Sequence, residues 1–136
     1  LHASPPKSTG KERYNLEYVR SRLDGSEDAS DIQATLAEFT ASSIADAVLA
    51  WGPTDAEVVV CGGGRLNLDL MQRLKRRLSG SSVILAEDLG VDGDAIEAAA
   101  FAWLAHRFIQ QLPGNVTSVT GASDPRILGA LYPASR

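Results

Sequence analysis

A chain of 136 residues, 44% hydrophobic and 22% charged, is long enough for one domain with a core of its own and too apolar to be disordered throughout. Its 13 Lys and Arg against 17 Asp and Glu leave a net charge of −4, which speaks against a general binder of nucleic acid or membrane surfaces. A single cysteine excludes an intrachain disulfide and a multi-cysteine zinc site, and no apolar run reaches the ~18 residues of a membrane span. No signal-peptide pattern opens the chain, so a cytoplasmic location is expected. Leu1 stands where a methionine is usual, which makes a piece of a longer product the expectation.

Residues 1–15 read as a polar loop, because Pro5 and Pro6 fix φ and remove two backbone donors. Leu16 to Leu23 suits a short helix that stops near Asp24 and Gly25. From Asp31 to Trp51, the residues Ile32, Leu36, Phe39, Ile44, Val48 and Trp51 recur at helical spacing with alanines between them. The period predicts a long amphipathic helix, capped by Ser30 or Asp31 and stopped by Gly52-Pro53. Glu57 to Cys61 is a β-branched run ending in glycines and reads as a buried parallel strand. Leu68 to Leu78 predicts a helix with Leu70, Met71, Leu74 and Leu78 on its apolar face. Its Arg73, Lys75, Arg76 and Arg77 read as a solvated basic face. Ser82 to Ala86 forms a second strand, and Asp92 or Asp94 opens a helix to about Gln111. The tail from 112 onwards reads as irregular, with one turn near Ile127 to Leu131. Alternating strands and helices predict an α/β fold with parallel strands around a core spanning 16–111. Two strands are too few for a complete sheet, so the chain reads as half of a domain.

The sharpest chemical feature is Cys61-Gly62-Gly63-Gly64-Arg65-Leu66-Asn67, which carries a strand through glycines into a helix. Such a turn lets backbone approach a ligand and points free amides at it. It is neither a Walker loop nor the dinucleotide fingerprint, so a tight packing turn and a nucleotide contact both stay open. Glu97 interrupts an otherwise apolar stretch from Ala95 to Ala105, which predicts a helix buried nearly all round. Asp94 and Glu97 match a capping pattern, while a carboxylate at a cleft rim would suit a polyhydroxylated ligand. Cys61 reads as a small buried residue; His2 and His106 lack a second ligand at metal spacing. No catalytic triad assembles from these residues.

Five blocks resemble the anhydro-N-acetylmuramic acid kinases. They are Pro5-Pro6-Lys7-Ser8-Thr9-Gly10, Asp31-Ile32-Gln33-Ala34-Thr35-Leu36 with its continuation, Cys61 to Gly64 with Asn67, Asp94 to Ala105, and Pro113-Gly114-Asn115 through Gly129-Ala130. Leu68 departs from the family, standing where proline is common. The resemblance implies the C-terminal part of an actin-like (ribonuclease H-like) ATPase and sugar-kinase lobe, with two short parallel strands flanked by helices. It implies a cytoplasmic kinase of peptidoglycan turnover and amino-sugar metabolism. In that reaction water opens the ring of 1,6-anhydro-N-acetylmuramic acid while ATP phosphorylates the 6-oxygen, with Mg²⁺ as cofactor.

Within the resemblance, Gly62, Gly63, Gly64 and Asn67 are expected to bind the nucleotide, and Glu97 to contact the sugar from across the cleft. No catalytic residue and no metal ligand is expected here, because the family's phosphate loop and its catalytic base belong to an N-terminal part. That part of the same protein is an expected partner, as is a second copy in a full-length homodimer; nucleic acid and membrane are not. The segment alone is expected to be inactive. The competing expectation is a truncated, non-catalytic paralogue serving as a folded interaction module.

Overall fold

The computed structural model describes residue 4 and residues 6–134; His2 and Pro5, which the sequence places in the N-terminal loop, lie outside them. The chain divides into two compact units, one of Arg13–Ile96 and one of Leu1–Glu12 with Glu97–Arg136. Each is described by itself.

In the first unit, α1 (Leu16–Arg20) is capped by Asn15, whose Oδ1 accepts from the Tyr18 amide at 2.9 Å. The helix is shorter than expected, ending at Ser21 rather than near Leu23. The long helix α2 (Ala29–Trp51) begins two residues before the expected Asp31, with Asp28 as its N-cap in place of Ser30 or Asp31. Strand β1 (Glu57–Val60) pairs in parallel with β2 (Ser82–Leu85), Val58 opposite Val83 and Val60 opposite Leu85. Between them run a 3₁₀ turn (Gly63–Leu66) and α3 (Leu68–Arg77), so the two strands are joined by a helical crossover. The core comprises Ala41 and Ala45 of α2, Met71, Leu74 and Leu78 of α3 and its cap, and Val83 of β2. The alanines let the two helices approach closely, and the α3 residues fall at the spacing that puts them on one face.

Two expectations fail here. β1 is not buried on both faces, because Glu57 and Val59 are exposed while Val58 and Val60 pack inward. With β2 its only strand neighbour among the described residues, it follows the alternation of a half-covered strand. The basic face of α3 is not simply solvated either. Arg73 Nη1 donates to Glu38 Oε2 and Arg77 Nε to Glu38 Oε1, both at 2.6 Å, tying α3 to α2. Lys75 and Arg76 stay exposed, as expected.

In the second unit, α4 (Ile96–Ile109) is apolar yet carries no buried residue, contrary to the expectation of burial all round. Phe101 is 65% exposed, Trp103 52% and Ile109 71%. Arg107 Nε donates to the Pro113 carbonyl at 2.8 Å, and a Cβ added at Gly129 would stand 3.2 Å from Phe108 Cδ2. Among the described residues the tail contains one short helix, α5 (Thr117–Thr120), closed by Gly121 in the left-handed region. The helical turn therefore lies upstream of the expected 127–131 position, which is extended or irregular. Among the described residues no helix is long and apolar enough to cross a membrane.

Candidate functional site

Parallel pairing puts the loops that follow β1 and β2 at the same carboxyl end of the sheet. Open α/β sheets place their ligand sites at that end. The loop after β1 is the glycine run. Gly62 adopts φ +70°, a left-handed conformation that a side chain disfavours. Its N–H donates to the Gly93 carbonyl at 3.0 Å, and its carbonyl accepts from the Arg65 amide at 3.2 Å. Asn67 caps α3, its Oδ1 accepting from the Leu70 amide at 3.1 Å.

A packing turn uses glycine because a Cβ would collide with something. At Gly62 and Gly63 an added Cβ meets nothing within 4 Å, and at Gly64 only Leu70 Cδ2 at an ordinary 3.6 Å. Gly62 is thus required by its backbone angle, whereas Gly63 and Gly64 are required by neither clash nor angle within this chain. The space over the loop is open.

The floor of the loop is an ionic cluster. Arg65 is 7% exposed and forks between two carboxylates: Nε donates to Glu87 Oε1 at 2.7 Å, and Nη1 to Asp94 Oδ1 at 2.6 Å. Nη1 also donates to the Gly62 carbonyl at 3.0 Å. Glu87 Oε1 accepts in turn from the Gly93 amide at 3.2 Å. Hydrogen bonds from Arg65 hold the Asp94 carboxyl below its ordinary range. Glu87 is lowered by its own backbone amide and then by Arg65. The guanidinium is held above its ordinary value, by Asp94 first and Glu87 second. All three groups are charged at neutral pH.

Of the residues singled out from sequence, Gly62, Gly63, Gly64 and Asn67 meet at one end of β1. Glu97 sits exposed on the first turn of α4, in the other unit. Asp94, expected as a possible cap of that helix, directs its carboxylate to Arg65 instead. Cys61 is exposed, not buried, because it follows the last paired residue of β1 on the outward side. His106 is exposed on α4. Sequence reasoning passed over Arg65, Glu87 and Gly93. The available signal was an arginine directly after a glycine triplet, with four acidic residues in the loop after the next strand.

The family described as anhydro-N-acetylmuramic acid kinase matches residues 2–134. The chain belongs to the anhydro-N-acetylmuramic acid kinase family. Curated relatives carrying that name occur in Nitrosospira multiformis, 48% identical over 130 residues, and in Pseudomonas paraeruginosa, 49% identical over 131. A third, from Xanthomonas axonopodis pv. citri, is 48% identical over 131 residues. These alignments cover 96%, 95% and 96% of this chain but only 36%, 36% and 35% of the respective relatives. The chain therefore spans little more than a third of the length of the anhydro-N-acetylmuramic acid kinases it matches.

Proposed function

We propose that the protein in its full-length form is an ATP-dependent kinase of 1,6-anhydro-N-acetylmuramic acid, acting in the cytoplasm on sugar recovered from the cell wall. Water adds at the anomeric carbon and opens the 1,6-anhydro bridge. The freed 6-oxygen takes the γ-phosphoryl group of ATP, giving N-acetylmuramic acid 6-phosphate and ADP. The observation that carries this reading is the family match across nearly the whole segment, at close to half identity with kinases of that name.

Within that reaction the segment supplies nucleotide contacts. Gly62, Gly63 and Gly64 offer backbone to the adenosine, supported by the open space above them. Asn67 stands beside them at the start of α3, its Oδ1 already committed to the cap, so its contact with nucleotide would use the amide nitrogen. Glu97 is proposed to accept hydrogen bonds from sugar hydroxyls, supported by its exposure on a helix that otherwise carries only apolar residues through Ala105. Phosphoryl transfer rests on positioning, Mg²⁺ and a base. Among the described residues no group of three or more His, Cys, Asp or Glu side chains converges. The base and the metal contacts are assigned to residues outside it, and the segment alone is inactive. A homodimer of full-length chains and the actin-like lobe belong to the same proposal.

Incubating the full-length protein with the anhydro sugar, ATP and Mg²⁺ tests it. Stoichiometric ADP and sugar 6-phosphate, with solvent oxygen incorporated at C1, are expected. Folded protein that releases no ADP in response to the sugar would overturn the reading. It would favour instead a non-catalytic interaction module, for which the exposed Phe101 and Trp103 provide a surface.

A further inference from the structure

We propose that Arg65 is a positioning residue for nucleotide binding: clamped between Glu87 and Asp94, it holds the Gly62 carbonyl and so fixes the backbone that the glycine loop presents to ATP. The inference rests on the nucleotide role of Gly62–Gly64 given above.

Burying a guanidinium is costly unless its hydrogen bonds are met, and a turn needs no such group merely to reverse direction. Here the side chain is 6% exposed and makes three directed bonds within one loop cluster. Together with the Gly93 carbonyl on the Gly62 amide, these bonds engage both polar groups of Gly62. The peptide plane that leads into Gly63 is thereby oriented before any ligand arrives. Glu87 carries the same restraint to the second loop through the Gly93 amide. Both loops at the carboxyl end of the sheet are thus locked to one cation. Gly93 completes the arrangement, because a Cβ there would stand 2.5 Å from Arg65 Nε. The guanidinium is directed to the loop's own carbonyl, so it acts through Gly62. A preorganised loop spares the ligand the ordering cost that a mobile one would impose.

The test uses the full-length protein with Arg65→Lys, which keeps the charge but cannot span three acceptors, and Asp94→Asn. Asp94 is 66% exposed at its side chain, so its variant carries the test if Arg65→Lys fails to fold. We expect Arg65→Lys to raise the KM for ATP about tenfold and Asp94→Asn about threefold, with kcat and the sugar KM within about twofold of the parent. The double variant should lie close to Arg65→Lys alone, because both changes release one restraint. An unchanged ATP KM in these variants, with thermal stability lowered, would overturn the proposal and leave Arg65 a folding residue. Gly63→Val separates the two levels. If it raises the ATP KM while the Arg65 and Asp94 variants do not, only the clamp falls. If it leaves the ATP KM unchanged, the nucleotide role of the loop fails and the clamp's function fails with it.

Discussion

At the scale of single residues the glycine loop yields opposite expectations for adjacent positions. Gly62→Ala clashes with nothing but must hold φ +70°, which costs about 1–2 kcal/mol. Gly63→Ala has open space and no left-handed angle, so it should raise stability slightly, by about 0.4–1 kcal/mol, by restricting the unfolded chain. Thermal melts of the two variants should move in opposite directions, while under the proposed function Gly63→Ala in the full-length protein should weaken ATP binding despite its added stability. Loss of stability at both positions would return the loop to a packing role. Glu97→Gln belongs to the same scale. An exposed carboxylate serving as a sugar acceptor loses a charge-assisted bond, lowering kcat/KM for the sugar about ten- to a hundredfold with the ATP constant unmoved. Unaltered sugar kinetics would leave Glu97 as a surface residue. The glycines were legible because strand, glycines and helix are consecutive in sequence. Arg65 was not, since its partners lie 22 and 29 residues away and only the parallel register of β1 and β2 brings them within reach.

At the scale of elements, the junction of α2 and α3 is held by an apolar layer and one shared carboxylate. Leu74 is 1% exposed, and Leu74→Ala should cost about 2–5 kcal/mol, measured by denaturant unfolding. Glu38 receives Arg73 and Arg77, and these hydrogen bonds, Arg73's first, lower its carboxyl below the usual 4.5. A depressed carboxylate contributes stability that is present above its unfolded value and lost as pH falls through the folded one. Acid unfolding of the parent should therefore steepen below about pH 4.5, and Glu38→Gln should flatten that limb while lowering stability at neutral pH. An unchanged acid limb would show that the bridge adds nothing. The middles of α2 and α3 were readable from their apolar period, which depends on local spacing alone. The Asp28 cap was not, because Asp28, Ser30 and Asp31 are all chemically able to begin a helix. The basic run of α3 misled for a related reason: whether an arginine meets water or a glutamate of another helix is a tertiary fact.

For the whole molecule, the tension is between an apolar helix and its exposure. The composition of α4 predicts burial, yet Phe101, Trp103 and Ile109 face solvent in the described chain. Large exposed side chains on so apolar a helix make association the property to test. We expect the 136-residue chain alone to self-associate with concentration and to bind an apolar dye, and Phe101→Glu to suppress both. If a longer form of the protein covers the helix, Trp103 fluorescence in a Trp51→Phe background of that form should shift to the blue and resist iodide. A monomeric, dye-free chain would refute this expectation. The two-stranded parallel pair was legible at this scale, since two β-branched runs flanking a helix leave few alternatives. The exposure of α4 was not, because apolarity records what a helix is built to cover and not which chain supplies the cover.

The near-collision at Gly93 has a consequence for how the sequence can vary. A methyl group at position 93 would occupy the place of the Arg65 side chain, with Nε, Cδ and Cζ all within 2.9 Å of it. The two positions are therefore genetically coupled, although 28 residues separate them. In a library randomised at both, functional clones retaining Arg65 should retain Gly93. Clones that gain a side chain at 93 should have exchanged the arginine for something shorter. Drift at one site is then conditional on the other, and the pair should be exchanged together or kept together.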